Sequence, residues 1–489
     1  MFESAELGHT LDKATWKAEV PALREALLDA QLAIREAKRF SVLVIIGGVE
    51  GAGKGETVNL LNEWMDPRYI ATHGFARPTE EERERPAAWR FWRALPPKGE
   101  LGIFFGSWYT EPIMRRVLGD DRPADVERAI GRIRHLERML HNENVLVLKL
   151  WFHLSKAQQR ARLEALQANK RTRWRVTKRD WAFARRYDDF RAVSEQVVRE
   201  TNTAEAPWVV IEGADARYRS LTAGRVLLEA MQKRLAQTGD VTITAAPMIE
   251  ALDNEKLLRD VDLSKAVSKR DYKPRLEKLQ GKLNRLARKT FRDRSLVLVF
   301  EGWDAAGKGG AIRRVTAALD ARYYHIVPIA KPTDEEYAQP YLWRFWRHVP
   351  RHGITTIFDR SWYGRVLVER VEGYCSESDW MRAYDEINEF EEQLHEAGAV
   401  LCKFWLHISP EEQLARFEAR QATPFKRHKI TDEDWRNREK WGDYESAVCD
   451  MIDRTSSEFA PWTIVEAEDK RYARLKVLQT IVERLDPQG

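Results

Sequence analysis

Short, continuously apolar runs alternate along the chain with longer stretches whose apolar residues recur every three or four positions. In the first half the runs Val42–Ile46, Tyr69–His73, Gly102–Phe105, Val145–His153 and Trp208–Ile211 predict five strands. In the second half Leu296–Phe300, Tyr324–Ile329, Ile354–Phe358, Val400–His407 and Trp462–Val465 predict five more. Strands without apolar/polar alternation are buried on both faces. With helical patterns between them, they predict an α/β fold with a parallel sheet flanked by helices. Residues 1–40 read as a helical preface carrying Leu23, Leu27, Leu32 and Ile34. Tyr272 to Arg292 is its counterpart before the second set of strands, slipped in register by about two residues.

The two halves repeat each other. Gly48-Val49-Glu50-Gly51-Ala52-Gly53-Lys54-Gly55 returns as Gly302-Trp303-Asp304-Ala305-Ala306-Gly307-Lys308-Gly309. The offset of 254 that carries Lys54 onto Lys308 runs without a gap to Tyr218 and Tyr472. Each copy follows a predicted strand and precedes a helical pattern, the setting of a phosphate-binding loop. Backbone N–H groups at a helix N-terminus, with a lysine beside them, favour phosphate oxygens. The least periodic stretch runs from Gln237 to Pro247. The predicted organisation is a domain over 1–235, a linker over 236–255 and a domain over 256–489. Ligands belong at the carboxyl ends of the strands, where both loops fall.

Composition narrows the class. Hydrophobic residues make up 43% of the 489 and charged ones 32%, as in a water-soluble globular protein. No apolar run approaches the roughly 18 residues of a membrane span, and the N-terminus lacks a secretory pattern. Cys375, Cys402 and Cys449 are too few and too irregularly spaced for a zinc site, and read as reduced packing residues of a cytoplasmic protein. A net charge of +5 permits a polyanionic partner. No basic tract or aromatic motif points to nucleic acid.

Phosphoryl transfer needs held phosphates, a metal and cations on the transferring oxygens. In the second loop Gly302, Ala305, Ala306, Gly307 and Gly309 form the cradle and Lys308 the cation. Gly309 stands where a hydroxyl usually holds the metal. Asp304 and Asp359, the latter closing an apolar strand, are therefore the expected metal carboxylates. Arg360 and Arg365 are expected to clamp phosphate. Arg416 and Arg420 share a helix face. With Lys426, Arg427 and Lys429 they read as a lid. Trp343-Arg344-Phe345-Trp346-Arg347 repeats Trp89-Arg90-Phe91-Trp92-Arg93, with aromatics suited to the core. Arg344, Arg347 and Lys331 are candidates for an anion channel.

The first half keeps the cradle and loses the chemistry. Asp359 is matched by Phe105, Arg360 by Gly106, Arg365 by Glu111, Arg420 by Leu166 and Asp304 by Glu50. Phenylalanine cannot ligate a metal, so the first half reads as a degenerate copy.

The second loop, Asp359-Arg360-Ser361-Trp362-Tyr363-Gly364-Arg365 and the basic segment after Pro424 together resemble the family-2 polyphosphate kinases, once per half. The resemblance implies a thymidylate-kinase-like P-loop core in each domain. It also implies Mg²⁺-dependent transfer (with Mn²⁺ as an alternative) between inorganic polyphosphate and a nucleoside monophosphate, chiefly AMP to ADP, with GMP a second acceptor. Carried over, Lys308, Asp359 and Arg360 are catalytic, Asp304 supports metal and phosphate, and Lys426 to Lys429 lie in a lid. An ATP-dependent nucleotide or nucleoside kinase and a non-enzymatic phosphate-binding module are the rival readings. Monomer and homodimer both stay open.

Overall fold

The computed structural model describes residues 1–237, 256–290, 293–424, 430 and 432–486. By contacts the chain forms two compact units. One comprises Met1–Pro78, Arg90–Thr242 and Pro332–Trp343; the other comprises Thr79–Trp89, Ile243–Lys331 and Arg344–Gly489. Each unit thus takes in one short segment from the opposite half of the sequence, which a single cut at 236–255 does not anticipate. From residue 238 onward the expected linker lies outside the described residues.

In the first unit β1 (Ser41–Gly48), β2 (Ile70–Gly74), β3 (Leu101–Phe105), β4 (Val145–His153) and β5 (Trp208–Glu212) form a sheet of order β2-β3-β1-β4-β5. In the second, β6 (Ser295–Gly302), β7 (Tyr324–Pro328), β8 (Thr355–Asp359), β9 (Ala399–His407) and β10 (Trp462–Glu466) repeat it as β7-β8-β6-β9-β10. Every strand pair is parallel. All ten expected strands are present, with ends moved by a residue or two.

The fully apolar runs are central because both faces are covered. Val42 to Ile45 and Leu296, Leu298, Val299 and Phe300 are all 0% exposed. Burying each such side chain contributes roughly 1.5–3 kcal/mol. The preface helix Lys13–Ala37 puts Leu27 and Ile34 into the first core, while Leu32 points outward. Its counterpart is Lys269–Thr290. Asp215 and Asp469 cap the helices that follow the fifth strand of each unit, Ala216–Ala236 and Lys470–Leu485, through the amides of Tyr218 and Tyr472. Trp343, Phe345 and Trp346 are buried, as expected of core aromatics, and Cys402 and Cys449 are buried free thiols. Among the described residues no helix is long and apolar enough to cross a membrane.

Both units bury the same ion pair. Lys403 Nζ donates to Glu391 (2.7 Å), to Tyr363 Oη (2.9 Å) and to the Thr455 carbonyl (2.7 Å). Lys149 does the same with Glu137, Tyr109 and Thr201. A buried charge needs this full set of partners, because desolvation costs several kcal/mol per ion. Each network anchors the tyrosine in the segment after the third strand of its unit.

Candidate active site

The second-unit loop leaves β6 at Gly302, whose φ is 141°. A Cβ there would lie 2.5 Å from the Leu406 carbonyl oxygen, so β9 dictates glycine. Ala305 (φ 64°) and Gly307 (φ 112°) turn the chain into the helix Lys308–Thr316. Lys308 Nζ donates to the carbonyls of Gly302 (2.5 Å) and Trp303 (3.3 Å), folded back over its own loop. Burial pushes its pKa down, against the pull of Asp304.

The loop is braced from behind. Trp303 stacks on Trp441 at 3.7 Å and donates through Nε1 to His407 Nδ1 at 3.0 Å. Gln413 donates to the Asp304 carbonyl (3.2 Å). Arg416 is buried and donates to the carbonyls of Ala305, Ala306, Ala467 and Glu468 at 2.8–3.1 Å. This corrects its expected place on a lid: with its donors spent on loop carbonyls, Arg416 is a fixed strut.

In front of the loop lies a cleft of about 360 Å³. Its walls carry residues 303–310, Asp359, Arg360, Arg313, Arg420 and Asp434. Lys308, Asp304, Asp359, Arg360 and Arg420 are therefore brought together as the sequence suggested. Asp359 enters because β8 pairs with β6 in the register Phe300↔Asp359, so its strand ends beside the loop. Arg360 Nη2 donates to Asp304 Oδ1 at 3.2 Å, and Asn437 Nδ2 donates to Oδ2 at 3.1 Å. Burial pushes the Asp304 pKa up, but Lys308 and Arg360 outweigh it and the net shift is downward. Arg360 loses solvation too, yet Asp304 and its acidic neighbours hold its pKa above the ordinary value.

These partners bear on the metal. Both oxygens of Asp304 accept hydrogen bonds, whereas the Asp359 carboxylate lines the cleft with no hydrogen-bond partner among the described residues. Asp359 thus fits a cation ligand, and Asp304 fits only by releasing a donor. Among the described residues no cluster of three potential ligands forms, so phosphate oxygens and water would complete the shell of a divalent cation held there.

Other expected residues are not brought to this cleft. Lys331, Arg344, Arg347 and Arg365 do not line it. Arg344 donates to the Ala330 carbonyl at 3.0 Å. Arg365 pairs with Glu369 at 3.0 Å. Lys426, Arg427 and Lys429 lie outside the described residues. Sequence reasoning missed Arg313, Asp434, Asn437, Trp441 and Glu301. Only Glu301 left a local signal, as a carboxylate ending an otherwise apolar strand and matched by Gly47.

The first unit fills the same place differently. Phe105 is 36% exposed at the position of Asp359. Lys54 folds onto the carbonyls of Gly48 and Val49. Glu56, which stands where Gly310 lines the second cleft, is engaged by Arg219 (2.8 Å), Arg175 (3.1 Å) and Arg162 (3.4 Å). A carboxylate of the chain's own thus takes up three arginines beside this loop.

The model of the family described as Polyphosphate kinase 2 matches residues 10–239 and again 266–488. A polyphosphate:AMP phosphotransferase of Pseudomonas aeruginosa is 56% identical over 489 residues, covering 99% of each chain. One from Acinetobacter johnsonii is 38% identical over 469 residues, 94% of each chain. A crystal structure of a polyphosphate kinase 2 from Pseudomonas aeruginosa PA01 superposes with a TM-score of 0.91 at 55% identity, covering 100% of this chain and 99% of that one. Two matches to one family model, each containing a P-loop and its own five-stranded parallel sheet, make the chain a member of the polyphosphate kinase 2 family.

Proposed function

We propose that the second unit transfers a phosphoryl group from inorganic polyphosphate to a nucleoside monophosphate, chiefly AMP to give ADP, and that the first unit does no chemistry. The observation that carries this is the pair Asp359–Arg360 beside Lys308 in one cleft, against Phe105–Gly106 at the matched place. The acceptor follows the names of the relatives at 56% and 38% identity, and GMP is a second acceptor to test.

The acceptor is a phosphate oxygen, already ionised near neutral pH, so the site needs no general base. That oxygen forms a bond to the terminal phosphorus of the donor while the bridging P–O bond breaks. A shortened polyphosphate leaves with the bonding electron pair. The chain's task is to position two polyanions and spread the charge of the transferring group. The P-loop amides hold donor oxygens, and Lys308 exchanges its two carbonyls for phosphate. Arg360 likewise exchanges Asp304 for the transferring group, while Arg313 and Arg420 offset charge at the cleft wall. A divalent cation, Mg²⁺ or Mn²⁺, held at Asp359 would neutralise phosphate charge. The free thiols fit a reducing cytoplasm.

The test is a donor screen on the full chain: polyphosphate or ATP, each with AMP and Mg²⁺, followed by ADP formation. ADP from polyphosphate, with ATP a poor donor, supports the reading. Equal or better use of ATP replaces it with an ordinary nucleotide kinase.

A further inference from the structure

Glu301 is the penultimate residue of β6 and has no part in the transfer described above. Its side chain is almost fully buried, with the residue 5% exposed. Its Oε1 accepts a hydrogen bond from Ser361 Oγ at 2.7 Å. Ser361 follows Asp359 and Arg360 directly, and its Oγ also accepts the Tyr363 amide (3.3 Å). One residue before Glu301, the Phe300 carbonyl accepts the Arg360 amide at 3.0 Å. One residue after it, the Gly302 carbonyl accepts Lys308 Nζ. The end of β6 therefore grips the Asp359–Arg360 turn at two points and the loop lysine at a third.

The turn needs holding. Arg360 sits at φ 64°, a left-handed conformation that strains a residue carrying a Cβ. The first unit is the internal control. There Gly47 replaces Glu301, Ser107 is kept, and Gly106 adopts φ 80° without a Cβ to strain. The Ser107 hydroxyl still accepts the Tyr109 amide (3.4 Å), and the sheet keeps its order. The fold thus survives without the carboxyl, and what is absent alongside it is the charged turn. Burial pushes the Glu301 pKa up, while Ser361, Lys308 and Arg360 pull it the other way.

We infer that Glu301 is a positioning residue for phosphoryl transfer: through Ser361 it fixes the Asp359–Arg360 turn against the P-loop, so that carboxylate and guanidinium face the same phosphoryl group. This rests on the transfer reaction proposed above.

The experiment compares Glu301→Gly, Glu301→Gln, Ser361→Ala and the Glu301→Gly/Ser361→Ala double variant with the wild-type full chain. Each is assayed with polyphosphate and AMP and checked for folding by thermal melting. Glu301→Gly should lower kcat on the order of 10–100-fold, the scale of a catalytic group misplaced by about an ångström. The KM for AMP should move less than about threefold, because binding is retained. Glu301→Gln, whose amide oxygen still accepts from Ser361, should stay within about threefold of wild type. Ser361→Ala should reproduce most of the Glu301→Gly loss, and the double variant should be no worse than Glu301→Gly alone. Wild-type kcat in folded Glu301→Gly or Ser361→Ala overturns the inference, as does a Gln variant as impaired as Gly. Should Glu301→Gly not fold, Ser361→Ala, which removes only the bond, decides the matter. Wild-type protein that makes no ADP from polyphosphate would instead defeat the transfer reading itself.

Discussion

Arg360 and Gly106 stand at matched positions in the two units and share a left-handed backbone, φ 64° in one and 80° in the other. Ala305 and Gly51 form a second such pair, at 64° and 84°. The second unit places side-chain-bearing residues where the first relaxes to glycine. Strain of this kind persists when a function holds it in place.

Arg360→Gly should therefore leave the backbone as it is. Relief of strain, about 1 kcal/mol, is offset by the extra freedom glycine gives the unfolded chain. Melting should shift by no more than a few degrees, while turnover falls on the order of a hundredfold or more for loss of a guanidinium on the transferring group. Thermal melting beside steady-state assays separates the two effects, and a large drop in melting temperature with turnover kept would show a structural arginine.

Arg416 and Arg420, the two described arginines of the expected lid, have different surroundings. Arg416 is buried on four carbonyls, so Arg416→Met should destabilise the second unit by about 3 kcal/mol through unmet acceptors around the P-loop. Arg420 faces the cleft, so Arg420→Met should leave stability within about 1 kcal/mol and weaken substrate use. Denaturant titration and kinetics of the two variants check this, and equal destabilisation would contradict it.

The strands and both loops were legible because short apolar runs and glycine-lysine loops are local signals. Asp359 could be placed at the site from its strand end alone. The two roles of Arg416 and Arg420 could not be separated, since four-residue spacing gives a shared helix face but not what that face meets. Trp303 against Trp441 and Asn437 on Asp304 join positions over 130 residues apart, as with the 133 between Asp304 and Asn437. No periodicity encodes such pairs. Lys331, Arg344 and Arg347 suggest a channel because they are cationic and close in sequence, but closeness in sequence does not say what they face, and none of the three lines the cleft.

His407 supplies a pH test. Its Nδ1 accepts the Trp303 indole, which a protonated ring cannot do, and burial pushes its pKa from 6.5 down to about 4. Between these values the unfolded state binds the proton that the folded state refuses. Stability is then complete above about pH 6.5 and falls as pH drops toward 4, by on the order of 3 kcal/mol from this group. His407→Gln keeps an acceptor without the titration. Denaturant unfolding at pH 7 and pH 5 should show a larger acid loss in wild type than in the variant, and equal losses would place the titration elsewhere.

Donor binding should weaken with salt if Arg313 and Arg420 act on a polyanion across open solvent, since exposed charges are screened over about 8–10 Å near physiological ionic strength. Arg313→Ala should raise the donor KM more than the AMP KM, with the difference shrinking as salt increases. A donor KM indifferent to salt would count against the electrostatic account of the cleft.

The division of labour between the two loops is tested most directly by one paired measurement, kcat/KM of full-length Lys308→Ala and Lys54→Ala with polyphosphate and AMP. Lys308 lines the cleft with Asp359 and Arg360, whereas Lys54 pairs with Glu50 at 3.5 Å in a unit that carries Phe105 and Gly106 in their place. Lys308→Ala should lower kcat/KM on the order of a thousandfold, and Lys54→Ala should stay within about threefold of wild type. Activity lost in Lys54→Ala and kept in Lys308→Ala would contradict the account.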